Sequence, residues 1–117
     1  METFITRPPL PGDLDFLARH IAAVAVHRRA AEARRVIAAA AEARDWRERT
    51  GRAHPDYGTG SIMAAVTGMC AGAPPPRALW DADFCRCVAI AAEALADLAD
   101  AETDARSFNT RLRRATG

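Results

Sequence analysis

The sequence predicts an all-α protein: a small helical bundle of about four helices with a long antiparallel helix pair and no β-sheet. Three observations lead there. Alanine fills 28 of 117 positions and all sixteen basic residues are arginine, and both residue types are strong helix formers. Apolar residues recur at three- and four-residue spacing along most of the chain. No stretch alternates apolar and polar residues at the period of two that a half-buried strand needs. The length suits one domain with a sizeable core. A GC-rich genome produces the same Ala/Arg bias, so composition by itself says little about activity.

Residues 1–12 read as an extended lead-in, because Pro8, Pro9, Pro11 and Gly12 oppose helix. Asp13 is the expected N-cap of the first helix, with Asp15 favoured by the helix dipole. Leu14, Leu17, Ile21 and Val24 then share one face. The pattern changes phase near Val24–Arg28. No Pro or Gly enforces a break there, so the readings are one helix of nearly 40 residues or, as ordinary helix lengths favour, two helices with a kink or short turn around Ala25–His27. The downstream apolar rows are Ala30, Ala33, Ile37, Ala40 and Ala41, and beside them Val36, Ala39, Ala43 and Trp46. Gly51 ends this helix as the usual residue after a helix C-terminus. Residues 52–60 form a loop punctuated by Pro55, Gly58 and Gly60, and Ser61 caps a short helix over Ile62–Met69, whose end Gly68 weakens. Pro74–Pro76 make a stiff linker. Asp81 or Asp83 opens the last helix, with Phe84, Val88, Ala91, Leu95 and Leu98 as its apolar stripe and Ala105, Phe108 and Leu112 extending it. The expected organisation is a lead-in (1–12), a helical domain (13–100) and a basic C-terminal segment (101–117) that is partly helical or flexible.

The net charge of +1 conceals strong segregation. Residues 28–52 carry eight Arg against four acids, residues 81–104 carry seven acids against Arg86 alone, and after Asp104 come Arg106, Arg111, Arg113 and Arg114 with no acid. Antiparallel packing of the basic helix on the acidic one is the structural expectation. Arg28, Arg35, Arg49, Arg52, Arg106, Arg111, Arg113 and Arg114 are the candidate DNA-binding or partner-binding residues, because Arg suits phosphate and carboxylate contact. A solvated or acid-paired face explains those within the second helix better, and the basic tail after Asp104 is the stronger candidate for an exposed contact segment.

Other chemistry has weaker support. His54, Cys70, Cys85 and Cys87 are ligand types that suit zinc, but Cys85 and Cys87 stand two apart on a helix and point away from each other. No metal or other cofactor is expected. A nucleophilic cysteine with His54 as base needs contact in space that spacing does not supply. Gly58-Thr59-Gly60-Ser61 before a helix can cradle a phosphate, but no Lys follows, and a plain Ser cap accounts for it. Trp46, Tyr57 and Trp80 read as core or interface anchors. Three cysteines, no signal peptide and no membrane-length apolar run give the cytoplasm as the expected compartment.

The segment Gly51-Arg-Ala-His-Pro-Asp-Tyr-Gly-Thr-Gly-Ser-Ile-Met-Ala-Ala65, with Asp83-Phe-Cys-Arg-Cys87 and Arg7-Pro-Pro-Leu-Pro-Gly-Asp13, resembles a family of short, uncharacterised alphaproteobacterial proteins. It is similar to small proteins of phage-derived gene transfer agents, and among these to the small terminase, the DNA-packaging adaptor. That resemblance implies a ring-forming homo-oligomer built on a helix hairpin, a segment that engages a large terminase, and no catalytic residues. No helix-turn-helix is evident, so DNA contact would be non-specific. The expected function is therefore a non-enzymatic oligomeric adaptor. The alternatives are a small regulatory protein with one protein partner, in transcription or replication, and, behind it, a metal- or thiol-dependent enzyme.

Overall fold

The computed structural model describes residues 9–70 and 72–116; the first eight residues of the expected lead-in lie outside them. Among the described residues the bundle has four α-helices, α1 (Pro11–Ala22), α2 (Arg29–Thr50), α3 (Ile62–Cys70) and α4 (Ala82–Thr116), with a 3₁₀ turn over Val26–Arg28 between the first two. Among the described residues the one β feature is an isolated bridge between His54 and Gly58. No helix described is long and apolar enough to cross a membrane.

Most boundaries follow the predicted signals. Gly51 adopts a left-handed φ of 71° and its N–H bonds Arg47 O at 2.8 Å, closing α2. Ser61 Oγ accepts the Ala64 N–H at 3.0 Å at the head of α3. Asp81 Oδ1 accepts from the Asp83 and Phe84 N–H groups, so Asp81 is the cap of α4. The start of α1 differs from expectation. Pro11 and Gly12 are its first residues, because a proline in the first turn lacks an N–H that would have no helical partner anyway. Asp13 is consequently not the N-cap. It lies two residues inside the helix and is almost fully buried. One carboxylate oxygen takes the Leu10 N–H at 2.7 Å and the other takes the Met63 N–H of α3 at 3.1 Å. A single buried acid thus caps two helices and joins them.

Antiparallel packing holds for α1 and not for the basic–acidic pair. The end of α1 meets the start of α2 through His20–Glu32, and meets the start of α4 through Arg29, which bonds the Ala22 and Val24 carbonyls as well as Asp83. By contrast Arg29 pairs with Asp83 and Arg34 with Asp97, so α2 and α4 advance in the same direction. The reason is the clamp at Arg29, which sets the first turn of α2 beside the first turn of α4. The core gathers Leu17, Ala18 and Ile21 of α1, Ala33, Val36, Ala39 and Ala40 of α2, Ile62, Ala65 and Val66 of α3, and Phe84, Cys87, Ala91 and Ala94 of α4. The buried row of α4 is therefore shifted from the expected Phe84-Val88-Ala91-Leu95. Small Cys87 and Ala94 face inward and let helices approach closely, while Val88 and Leu95 flank them half-buried.

The helix runs through Gly68 to Cys70, and the glycine, expected to weaken the helix end, serves packing. A Cβ there would collide with the Asp56 carbonyl oxygen of the 52–60 loop. Gly68→Ala should lower stability by about 1–3 kcal/mol through overpacking, although alanine is the better helix former. Asp13→Ala should cost about 1–3 kcal/mol, because two part-buried N–H groups lose their acceptor. Asp13→Asn, which keeps one acceptor oxygen, should cost roughly half of that. Urea titrations of the three variants check these values.

Candidate functional site

α4 is 35 residues long, about 52 Å at 1.5 Å per residue, and the molecule measures 54 × 29 × 22 Å. The helix therefore runs the full length of the protein. One face of its first half is buried in the bundle, and its second half is exposed along most of its surface. The basic segment after Asp104 is thus the continuation of α4, helical as far as Thr116. Phe108 and Leu112, four residues apart on one face, remain 59% and 48% exposed. Arg106, Arg111, Arg113 and Arg114 are exposed around them.

The other predicted arginines are placed differently. Arg35 forms a fork with Glu32 at 2.7 Å through both Nε and Nη2. Arg49 bonds Asp45 at 3.2 Å and lies over the Trp46 ring. Both are acid-paired within α2, so they do not join the α4 arginines in one surface. Arg28, at the end of the 3₁₀ turn, and Arg52, just after α2, are exposed. Arg29, absent from the predicted set, is the buried one. Its guanidinium also holds the Asp83 carboxyl below the usual carboxylate range.

A groove of about 470 Å³ opens where the exposed half of α4 leaves the bundle. Ile37, Ile62 and Leu98 give it an apolar floor, and Arg44, Arg47 and Glu48 stand at its rim. Thr59, Gly60 and Ser61 also line it, which places the glycine-rich segment before α3 here. Two N–H groups of the helix start that follows are already committed, Met63 N–H to Asp13 and Ala64 N–H to Ser61. Asp13 supplies the negative charge an anion would bring. The segment is a capped helix start.

The histidines and cysteines separate into structural roles. His54 Nδ1 accepts the Asp56 and Tyr57 N–H groups, and its ring stacks on Tyr57 at 4.8 Å and meets Trp46 edge-on at 5.3 Å. That cluster pins the loop to α2. Cys85 donates its thiol to the Leu79 carbonyl. Cys87 is buried in the core, where burial pushes its thiol up. Among the described residues no group of three His, Cys, Asp or Glu could hold a metal ion.

Sequence spacing gave no hint of the remaining cluster. His20 Nδ1 lies 3.1 Å from Cys70 Sγ, and its Nε2 lies 2.6 Å from Glu32, which Arg35 also grips. The connectivity is that of a thiol–imidazole–carboxylate triad. However, desolvation and the Glu32 charge raise the Cys70 pKa, which disfavours the thiolate. The cluster ties α1, α2 and α3 together. Hydrogen bonds from Arg35 lower the Glu32 carboxyl from 4.5 to about 2. A depressed carboxylate contributes stability in full above its unfolded pKa and loses it as pH falls through the folded value. Thermal melts should therefore show wild type above Glu32→Gln by a constant margin above pH 4.5, with the margin closing toward pH 2.

No curated protein and no solved structure matches the chain. Residues 7–95 match a family described as a domain of unknown function (DUF7742). The matched segment ends in the bundle half of α4, before the exposed basic half begins. Since that match covers most of the sequence, the chain belongs to the DUF7742 family.

Proposed function

We propose that the protein is a non-enzymatic, oligomeric adaptor for DNA packaging, similar to a small terminase and acting in the cytoplasm. One observation carries this reading: the second half of α4 projects an exposed apolar pair, Phe108 and Leu112, together with four exposed arginines, beyond a closed bundle. The bundle acts as the scaffold and the projecting helix as the docking element. Exposed Arg side chains contact phosphates without reading bases, so DNA binding is weak, non-specific and salt-dependent. The docking element also presents a helical apolar face to a large terminase or to other copies of the chain.

A second reading, a regulatory protein with one protein partner, is favoured by Trp80. This residue is 93% exposed beside Leu79 at 66%, at the end of the bundle where α4 begins. An exposed Trp is a suitable anchor for a partner's pocket.

Fluorescence anisotropy with duplex DNA across a salt series separates the two. The adaptor reading expects measurable affinity at ~50 mM salt, falling with a log–log slope of about −3 to −4. The Arg113→Ala/Arg114→Ala double variant should shallow that slope by about 2. Absence of DNA binding at low salt, together with failure to retain purified large terminase, overturns the adaptor reading. Loss of partner capture on Trp80→Ala would then support the second.

A further inference from the structure

α4 carries one unbroken heptad seam. Phe84, Cys87, Ala91, Ala94, Leu98, Ala101, Ala105, Phe108, Leu112 and Ala115 follow one another at alternating steps of three and four, the spacing of a and d positions in a coiled coil. The first four are buried in the core. Leu98 is half-buried in the groove, and the rest are exposed. The same stripe that closes the bundle therefore continues past it. Seam drift in a straight helix is about 20° per heptad, small enough to leave the two halves on adjoining faces.

We propose that the exposed half of this seam pairs with the same half of a second copy, antiparallel, about a two-fold axis midway between Arg106 and Ser107. This rests on the reading of the projecting helix as a docking element and names its occupant. Two independent features select the arrangement. The first is volume. In this register Leu98 faces Ala115 of the second copy, Ala101 faces Leu112, and Ala105 faces Phe108, so every layer joins one large residue to one alanine. A parallel in-register pair would stack Phe108 on Phe108 and leave Ala101 and Ala105 facing alanines. The second is charge. Asp100, Glu102 and Asp104 precede the axis, and Arg106, Arg111, Arg113 and Arg114 extend across and beyond it. Antiparallel pairing lays the acidic stretch of each copy along the basic stretch of the other. At the flanking positions Asp104 meets Arg111 of the second copy, twice by symmetry, and Glu102 meets Asn109. A parallel pair would instead set Asp97 against Glu102 and gather all the arginines at one end. The groove floored by Ile37, Ile62 and Leu98 leaves open space where the end of the second helix arrives.

The overlap is about two and a half heptads, or ~27 Å, at the small end of specific interfaces, so the pair forms in the micromolar range. Being self-complementary, it closes at two copies. Arg106, Arg113 and Arg114 fall at b and c positions outside the seam, which leaves that side of the pair for DNA.

Sedimentation of the full chain from micromolar to ~0.5 mM reads the pairing directly. A concentration-dependent dimer is expected. Asp104→Arg should weaken it about tenfold, and the swap Asp104→Arg/Arg111→Asp should restore most of the loss, because only the antiparallel register places these positions together. Orientation is read by mixing an Ala101→Cys chain with a Leu112→Cys chain under mild oxidation and mapping the disulfides by mass spectrometry. The mixed 101–112 bridge supports the proposal, whereas a dominant 101–101 bridge overturns it. A strict monomer at ~0.5 mM also overturns it. Duplex DNA bound by such a monomer would show that the pairing had failed while the adaptor reading stood.

Discussion

The arrangement of helices depends on the clamp at Arg29. It is the first residue of α2 and is nearly buried. Its Nε bonds Val24 O at 3.0 Å, Nη2 bonds Ala22 O at 3.2 Å, and the fork holds Asp83 at 2.7 and 3.1 Å. One guanidinium thus satisfies carbonyls at the end of α1, fixes the start of α2 and anchors the first turn of α4. A buried cation is tolerated only when paired and fully bonded, and this one has both. Lysine could not replace it, since a single ammonium lacks the planar fork that reaches a carboxylate and two carbonyls together. Asp83 raises the Arg29 pKa and Arg29 lowers that of Asp83, so the two charges reinforce each other. Asp13 performs the matching task at the opposite end of α1, where an anion receives N–H groups from two segments. Each end of α1 is closed by a buried charge of the sign that the local helix ends favour.

What the sequence revealed was mostly local. Gly51, Ser61 and Asp81 announce helix ends because their chemistry acts on residues within four positions. The break at Ala25–His27 was legible as a phase change. What escaped was set by tertiary contact. Pro11 looked like a helix breaker because nothing local says whether a proline sits before or at the first position. Gly68 looked like a weak point because the Asp56 carbonyl that requires it lies in another segment. In α4 the expected Phe84 and Ala91 are buried, while close packing selects small Cys87 and Ala94 over the larger neighbours Val88 and Leu95, a preference set by the facing helices. His20 carried no signal at all, since its partners Cys70 and Glu32 come from two other helices. The α4 arginines were legible as a charged segment, and their projection from the bundle only became apparent with the fold.

Charge segregation now has a concrete meaning. Much of the basic charge of α2 is spent inside the molecule, on Asp83, Asp97, Glu32 and Asp45. The near-neutral total therefore combines a bundle with internally matched charge and a projecting helix whose acidic and basic stretches lie end to end. The boundary between these parts falls close to where the DUF7742 match ends. Shared architecture and projecting element are thereby separable in sequence even though one helix runs through both.

That continuity has a geometric consequence. An α-helix transmits both length and rotation, so whatever holds the far end of α4 fixes the bundle in space with no hinge between. In the antiparallel pair the start of each α4 lies about 37 Å from the axis, which places the two helix starts, each just after a Trp80, roughly 73 Å apart on a stiff rod. A molecule of that form is bivalent at fixed spacing. It would bind a target with two sites at matching separation far more tightly than one with a single site. The ruler is the number of residues between Trp80 and the axis, and each insertion in α4 would lengthen it and turn the tips at once.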